Sequence, residues 1–183
     1  ADRFPAHKVI IAGMVIFVTA VLLMADADID TVFWSMAFYL FISRIGVALV
    51  SPSLNSAALA ALPPDKVHRG AGAVNMFLML GGSCGINSLV VVLERRVEFH
   101  SDAFTSTQTS ANTATRELIG SVHGLLNEGG IPHGMRDSVA LDYLGEVVSA
   151  QANTLGFQDG FVAVGLISLC SIVPVMLLRR SQR

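Results

Sequence analysis

Charge is scarce in this chain: only 14% of its 183 residues are Asp, Glu, Lys or Arg, against about 25% in an ordinary soluble domain. With 52% hydrophobic residues and a mean hydropathy of +0.61, it carries more apolar surface than a water-soluble fold of this size can hide. Nor is there a cationic surplus. A net charge of −2 and a pI near 6.2 leave no basic patch able to neutralise phosphates, so nucleic acid is not an expected partner. Cysteine is limited to Cys84 and Cys170, both inside apolar runs where a thiol acts as a small hydrophobe, which excludes a disulfide framework or a zinc site built on paired cysteines. His7, His68, His100, His123 and His133 all lie outside those runs and none forms His-Glu-x-x-His. Nucleophile elbow, Walker loop and dinucleotide fingerprint are also missing. An enzyme is therefore not expected, nor is a metal or an organic cofactor.

What is present is apolar sequence in long blocks. Val9 to Ala25 carries no charge, Thr31 to Leu62 is broken only by Arg44, and neither Gly70 to Leu93 nor Gly160 to Leu178 contains any charge. A bilayer core about 30 Å thick is crossed by roughly 20 apolar helical residues. The reading is an all-α integral membrane chain of four transmembrane helices, over about 9–26, 31–62, 70–94 and 157–178. The second run, at 32 residues or about 48 Å, is long enough to tilt or to project, and Pro52 and Pro174 are expected to kink their helices.

The connections carry charge unequally. Asp26, Asp28 and Asp30 follow the first span, whereas Lys66 and Arg69 follow the second. Positive residues mark the cytoplasmic side. Placing both ends and the second connection inside gathers Arg3, Lys8, Lys66, Arg69, Arg179, Arg180 and Arg183, seven of the twelve basic residues, and only Asp2 and Asp65 among the acids. Both ends of the segment are then cytoplasmic. The stretch 95–156 becomes an outer loop that opens on Arg95 and Arg96 and continues through the Ser/Thr/Asn-rich string Asp102–Thr115, which reads as flexible. Within it Leu118, Val122, Leu125 and Leu126, then Leu141, Leu144, Val147 and Val148, recur at helical spacing and predict two short amphipathic helices. These either cap the outer end of the bundle or dock a partner.

Arg44 is the most informative residue, about 13 residues or roughly 20 Å into its run. An arginine near mid-bilayer costs at least about 2.5 kcal/mol and by default faces a bundle interior or a wet cavity. Its guanidinium cannot be deprotonated, so it needs a counter-ion or water. No Asp or Glu lies in the interior of any apolar run, which points to a partner outside the chain. Arg44, Ser51 and Asn55 fall within roughly 20° of one helical line, with Ala37 and Ala48 nearby. The stripe is either a wall of a solute pathway or a hydrogen-bonded interhelical seam. In the third span, Gly81-x-x-x-Gly85 is a small-residue motif for close helix packing, or the face of a gating helix that exposes Asn75 or Asn87 to a cavity.

Several of these segments resemble one family. Ala1-Asp2-Arg3-Phe4-Pro5-Ala6-His7-Lys8 is similar to the end of the Gly-x-Leu-x-Asp-Arg loop of major facilitator superfamily transporters. Leu59-Ala60-Ala61-Leu62-Pro63-Pro64-Asp65-Lys66, then Gly70–Phe77 and Gly81-Gly82-Ser83-Cys84-Gly85, resemble a segment of the EmrB/QacA drug:proton antiporters. The resemblance implies the last four of fourteen helices, completing the C-terminal six-helix bundle, with the proton-coupling acid in the N-terminal half of the transporter, outside this sequence. It also implies export of small amphipathic substrates across a bacterial inner membrane, driven by the proton gradient without a cofactor. Asp2, Arg3 and Lys8 would then latch the bundle between its inward- and outward-facing states, and the outer loop would meet a periplasmic adaptor protein. Arg44 departs from the family, which has a neutral polar residue there. The alternative from another class is a self-contained four-span scaffold that binds partners through its outer loop without transport. The missing initiator Met and the lack of a counter-ion for Arg44 in the apolar runs favour the fragment.

Overall fold

The computed structural model describes residues 6–28, 30–63, 65, 67–109 and 111–181, the last five as backbone. Every regular element among them is helical: α1 (Ala6–Ala25), α2 (Phe33–Ala60), α3 (Val67–Thr107), α4 (Thr113–Glu128) and α5 (His133–Ser181). All but α4 are long and apolar enough to cross a membrane. In lipid a helix satisfies its own backbone, and polar side chains must do likewise. Thr19 Oγ1 donates to the Val15 carbonyl at 2.8 Å and Ser43 Oγ to that of Leu40 at 2.7 Å, each one turn back.

The helices divide into two units, residues 1–92 with 158–183, and residues 93–157. In the first, α1 and α2 pack as an antiparallel pair after a short acidic turn, in which Thr31 Oγ1 accepts from the Asp28 amide at 2.7 Å. Between membrane helices lipid tails are as apolar as side chains, so close packing rather than hydrophobicity drives association. Gly13 and Gly46 supply it. A Cβ built on Gly46 would sit 2.7 Å from the Gly13 carbonyl oxygen and 2.8 Å from the Phe17 backbone nitrogen, and one on Gly13 2.9 Å from the Gly46 carbonyl oxygen. Further along, α5 joins α1: a Cβ on Gly165 would meet Leu22 at 3.1 Å, and Gln158 Nε2 donates to the Ala27 carbonyl at 2.7 Å. Ile10, Val18, Ala20, Val21 and Met24 are buried as a result. A third of the α1 span is covered, while the α3 span has no buried residue.

The second unit corrects the expected loop over 95–156. The string from Asp102 is not flexible throughout, because α3 continues to Thr107; Ser106 and Thr107 hydroxyls bond the Ala103 and Phe104 carbonyls at 2.8 and 2.7 Å. Of the two short amphipathic helices expected, α4 is one. The other, around 141–148, is instead the early part of the 49-residue α5. Asn112 caps α4 by accepting from the Ala114 amide at 3.0 Å. At its far end the Ile131 amide reaches the Leu126 carbonyl at 3.0 Å and the Gly130 amide that of Asn127 at 3.1 Å. This Schellman turn needs the positive φ of 75° at Gly130. Thr115, Ala140 and Ala152 are buried here, and Gly156 lies against Val97.

Candidate functional site

The residues with most chemical consequence lie on α2. Arg44 stands eleven residues from the helix start and sixteen from its end, about 17 and 24 Å by the rise of an α-helix. In a helix about 42 Å long crossing a core of about 30 Å, that places the guanidinium's anchor roughly 11 Å inside the hydrocarbon. Arg44 and Ser51 are exposed and Asn55 half-buried. Gly46, roughly 160° around the helix from Arg44, and Ser43, roughly 100° from it, are buried. The helix therefore spends one face on α1 and leaves Arg44, Ala48 and Ser51 exposed. Among the described residues no carboxylate pairs with Arg44.

A second uncovered feature flanks it. Trp34, Phe38, Phe41 and Ile45 recur at i, i+4, i+7 and i+11 and are all exposed, Trp34 to 77%. They form an aromatic stripe roughly 80° around the helix from Arg44. Its signal was in the spacing, obscured because apolar residues also fill most of the other positions in this run.

The other expected site residues disperse. Asn75 and Asn87, both exposed on α3, lie roughly 120° apart around the helix and do not form one wall. Asn87 Nδ2 donates to the Ser83 carbonyl at 2.9 Å, which uses that donor within its own helix. The α2 stripe and these asparagines are not brought together, since α2 packs on α1 and no α2–α3 contact occurs among the described residues. Gly81 and Gly85 make no intrachain seam: a Cβ on either would meet nothing within 4 Å. They line instead an apolar groove of about 570 Å³ between α3 and α5, with Leu89 along the same helix and Val164 and Ile167 across it. The tight glycine crossing is the one sequence patterning missed, at Gly13 and Gly46, because a single glycine in an apolar run has no motif to mark it. Of the latch residues, Lys8 is exposed on α1, while Asp2 and Arg3 lie outside the described residues.

In the second unit His123 Nε2 stands 3.2 Å from Asp137 Oδ1, close enough for an ion pair but without hydrogen-bond alignment. No group of three or more His, Cys, Asp or Glu side chains able to hold a metal occurs among the described residues.

Four helices long and apolar enough to cross a membrane mark an integral membrane protein, with Arg44 in the middle of one of them and no carboxylate paired with it among the described residues. Comparison with family models, with curated proteins and with solved structures finds no match.

Proposed function

We propose that the chain is part of a proton-coupled multidrug efflux transporter of a bacterial inner membrane, exporting small amphipathic molecules by alternating access. The observation that carries this reading is the Arg44–Ser51–Asn55 line on α2, a polar stripe on which Arg44 and Ser51 are exposed and Asn55 half-buried. The apolar groove beside Gly81 and Gly85 supports it as a surface on which an amphipathic solute could slide. Both ends of the segment are cytoplasmic in this reading, and the second unit faces the periplasm, where an adaptor protein would reach it. The missing N-terminal helices supply the proton-coupling acid and the other wall of the pathway.

The experiment is to read the genomic sequence upstream of the Ala1 codon and then to measure efflux from the full-length protein. About ten further spans in frame, with loss of efflux in Arg44→Ala at equal expression, are expected. A start codon close to Ala1 with no upstream spans would leave a four-span scaffold and remove the transport mechanism. Undiminished efflux in Arg44→Ala would remove the role of the stripe.

A further inference from the structure

We propose that the Arg44 face of α2 is a docking surface for one kind of partner: a transmembrane helix from outside these 183 residues that carries an Asp or Glu at mid-bilayer depth. The inference needs α2 to lie in a membrane but does not need the chain to transport anything.

Three observations set the chemistry of the occupant. First, Arg44 is exposed and has no carboxylate partner among the described residues, while its position about 17 and 24 Å from the helix ends keeps it from either headgroup layer. A permanent cation at that depth is tolerated beside an anion or in water, not beside lipid tails. Second, the line it lies on is otherwise small or polar at Ala48, Ser51 and Asn55, which lets another helix approach closely and hydrogen-bond. The aromatic stripe at Trp34, Phe38 and Phe41 borders the line on one side and gives the incoming helix an apolar shoulder.

Third, a second copy of this chain cannot complete the pair. Its α1, its α2 and residues 70–93 contain no Asp or Glu, Glu94 stands only at the end of the 70–94 run, and α5 carries none beyond Asp159. Asp159 itself follows Gln158, whose side chain bonds Ala27 just beyond the end of α1, so it sits at the rim of the helices and not at the depth of Arg44. Charge complementarity thus selects an acid-bearing helix of different sequence.

The test uses the protein in its native membrane. A photo-crosslinking phenylalanine analogue replaces Ala48, one turn from Arg44 on the same exposed line, and the adduct is digested and sequenced. The expected adduct is an apolar peptide with an Asp or Glu in the middle of a membrane span. Arg44→Glu should then lower the membrane level of the assembled protein by more than about tenfold, and the reciprocal acid→Arg change in the identified helix should restore it. An adduct within residues 1–183, an adduct to a segment without an acid, or lipid adducts alone would overturn the proposal. So would Arg44→Glu accumulating normally with the same adduct. An acid-bearing helix on a separate polypeptide would uphold the docking surface while contradicting the fragment reading above, which keeps the two conclusions separable.

Discussion

Replacing Gly46 with alanine puts a methyl group where the α1–α2 crossing has no room. The nearest atoms to that methyl are the Gly13 carbonyl oxygen at 2.7 Å and the backbone nitrogen and Cβ of Phe17, both at 2.8 Å. None is the free end of a flexible side chain, so relief requires the two helices to move apart along the crossing that buries Val18, Val21 and the rest of the α1 face. Overpacking of this kind costs about 1–3 kcal/mol, and backbone neighbours place this site in the upper half. Alanine gives back up to about 1 kcal/mol of helix propensity. The net expectation is a loss of about 1–2 kcal/mol, or about 5- to 30-fold in the packed-to-open equilibrium. Gly81→Ala is the matched control: the same propensity gain applies and the new methyl meets nothing within 4 Å, so it should be neutral or slightly stabilising. The assay is pulsed thiol labelling of a cysteine placed at Ala20, a fully buried position on α1, with Cys84 and Cys170 changed to serine, as SDS is titrated into detergent-solubilised protein. Gly46→Ala should label at lower SDS than the parent, and Gly81→Ala should not. Equal midpoints for the two variants, or a more stable Gly46→Ala, would refute the crossing.

Two smaller effects are expected from single hydrogen bonds. Gln158→Ala removes the link from α5 to the Ala27 carbonyl and should cost about 0.5–1.5 kcal/mol, read as faster hydrogen exchange in the turn after α1 and an earlier midpoint in the same titration. Asn112→Ala removes the side-chain acceptor that caps α4 and should destabilise that helix by about 0.5–2 kcal/mol; hydrogen exchange at Ala114 and Thr115 should accelerate, with Asn112→Asp close to the parent.

The membrane helices were legible in the sequence because apolar runs of bilayer length with little or no charge have few other uses, and the runs beginning near Val9, Thr31, Gly70 and Gly160 each fall largely on a helix long enough to cross. Helix ends outside the apolar blocks were less legible. Ser106 and Thr107 belong to a Ser/Thr-rich string that composition marks as loop, yet each hydroxyl closes on a carbonyl of its own helix, so the helix bears them. Asn153 does the same toward the Ser149 carbonyl at 2.8 Å, and α5 passes without interruption through the expected boundary between loop and span at 156 and 157. Packing was the least legible level. The conspicuous Gly81–Gly85 pair faces open space, whereas the crossing rests on two glycines that become a pair only when α1 and α2 fold antiparallel. Arg44 was legible as an anomaly, since its cost depends on depth alone. Among the described residues no carboxylate pairs with it.

The most direct test of the account is sided labelling of single cysteines in intact cells, with Cys84 and Cys170 replaced, at Asp28 between α1 and α2 and at Arg69 beyond α2. If α2 crosses the membrane with the second connection in the cytoplasm, a membrane-impermeant maleimide labels position 28 from outside and position 69 only after permeabilisation. Labelling of both positions from the same side would contradict the crossing, and with it the burial of Arg44 in the bilayer on which the functional reading depends.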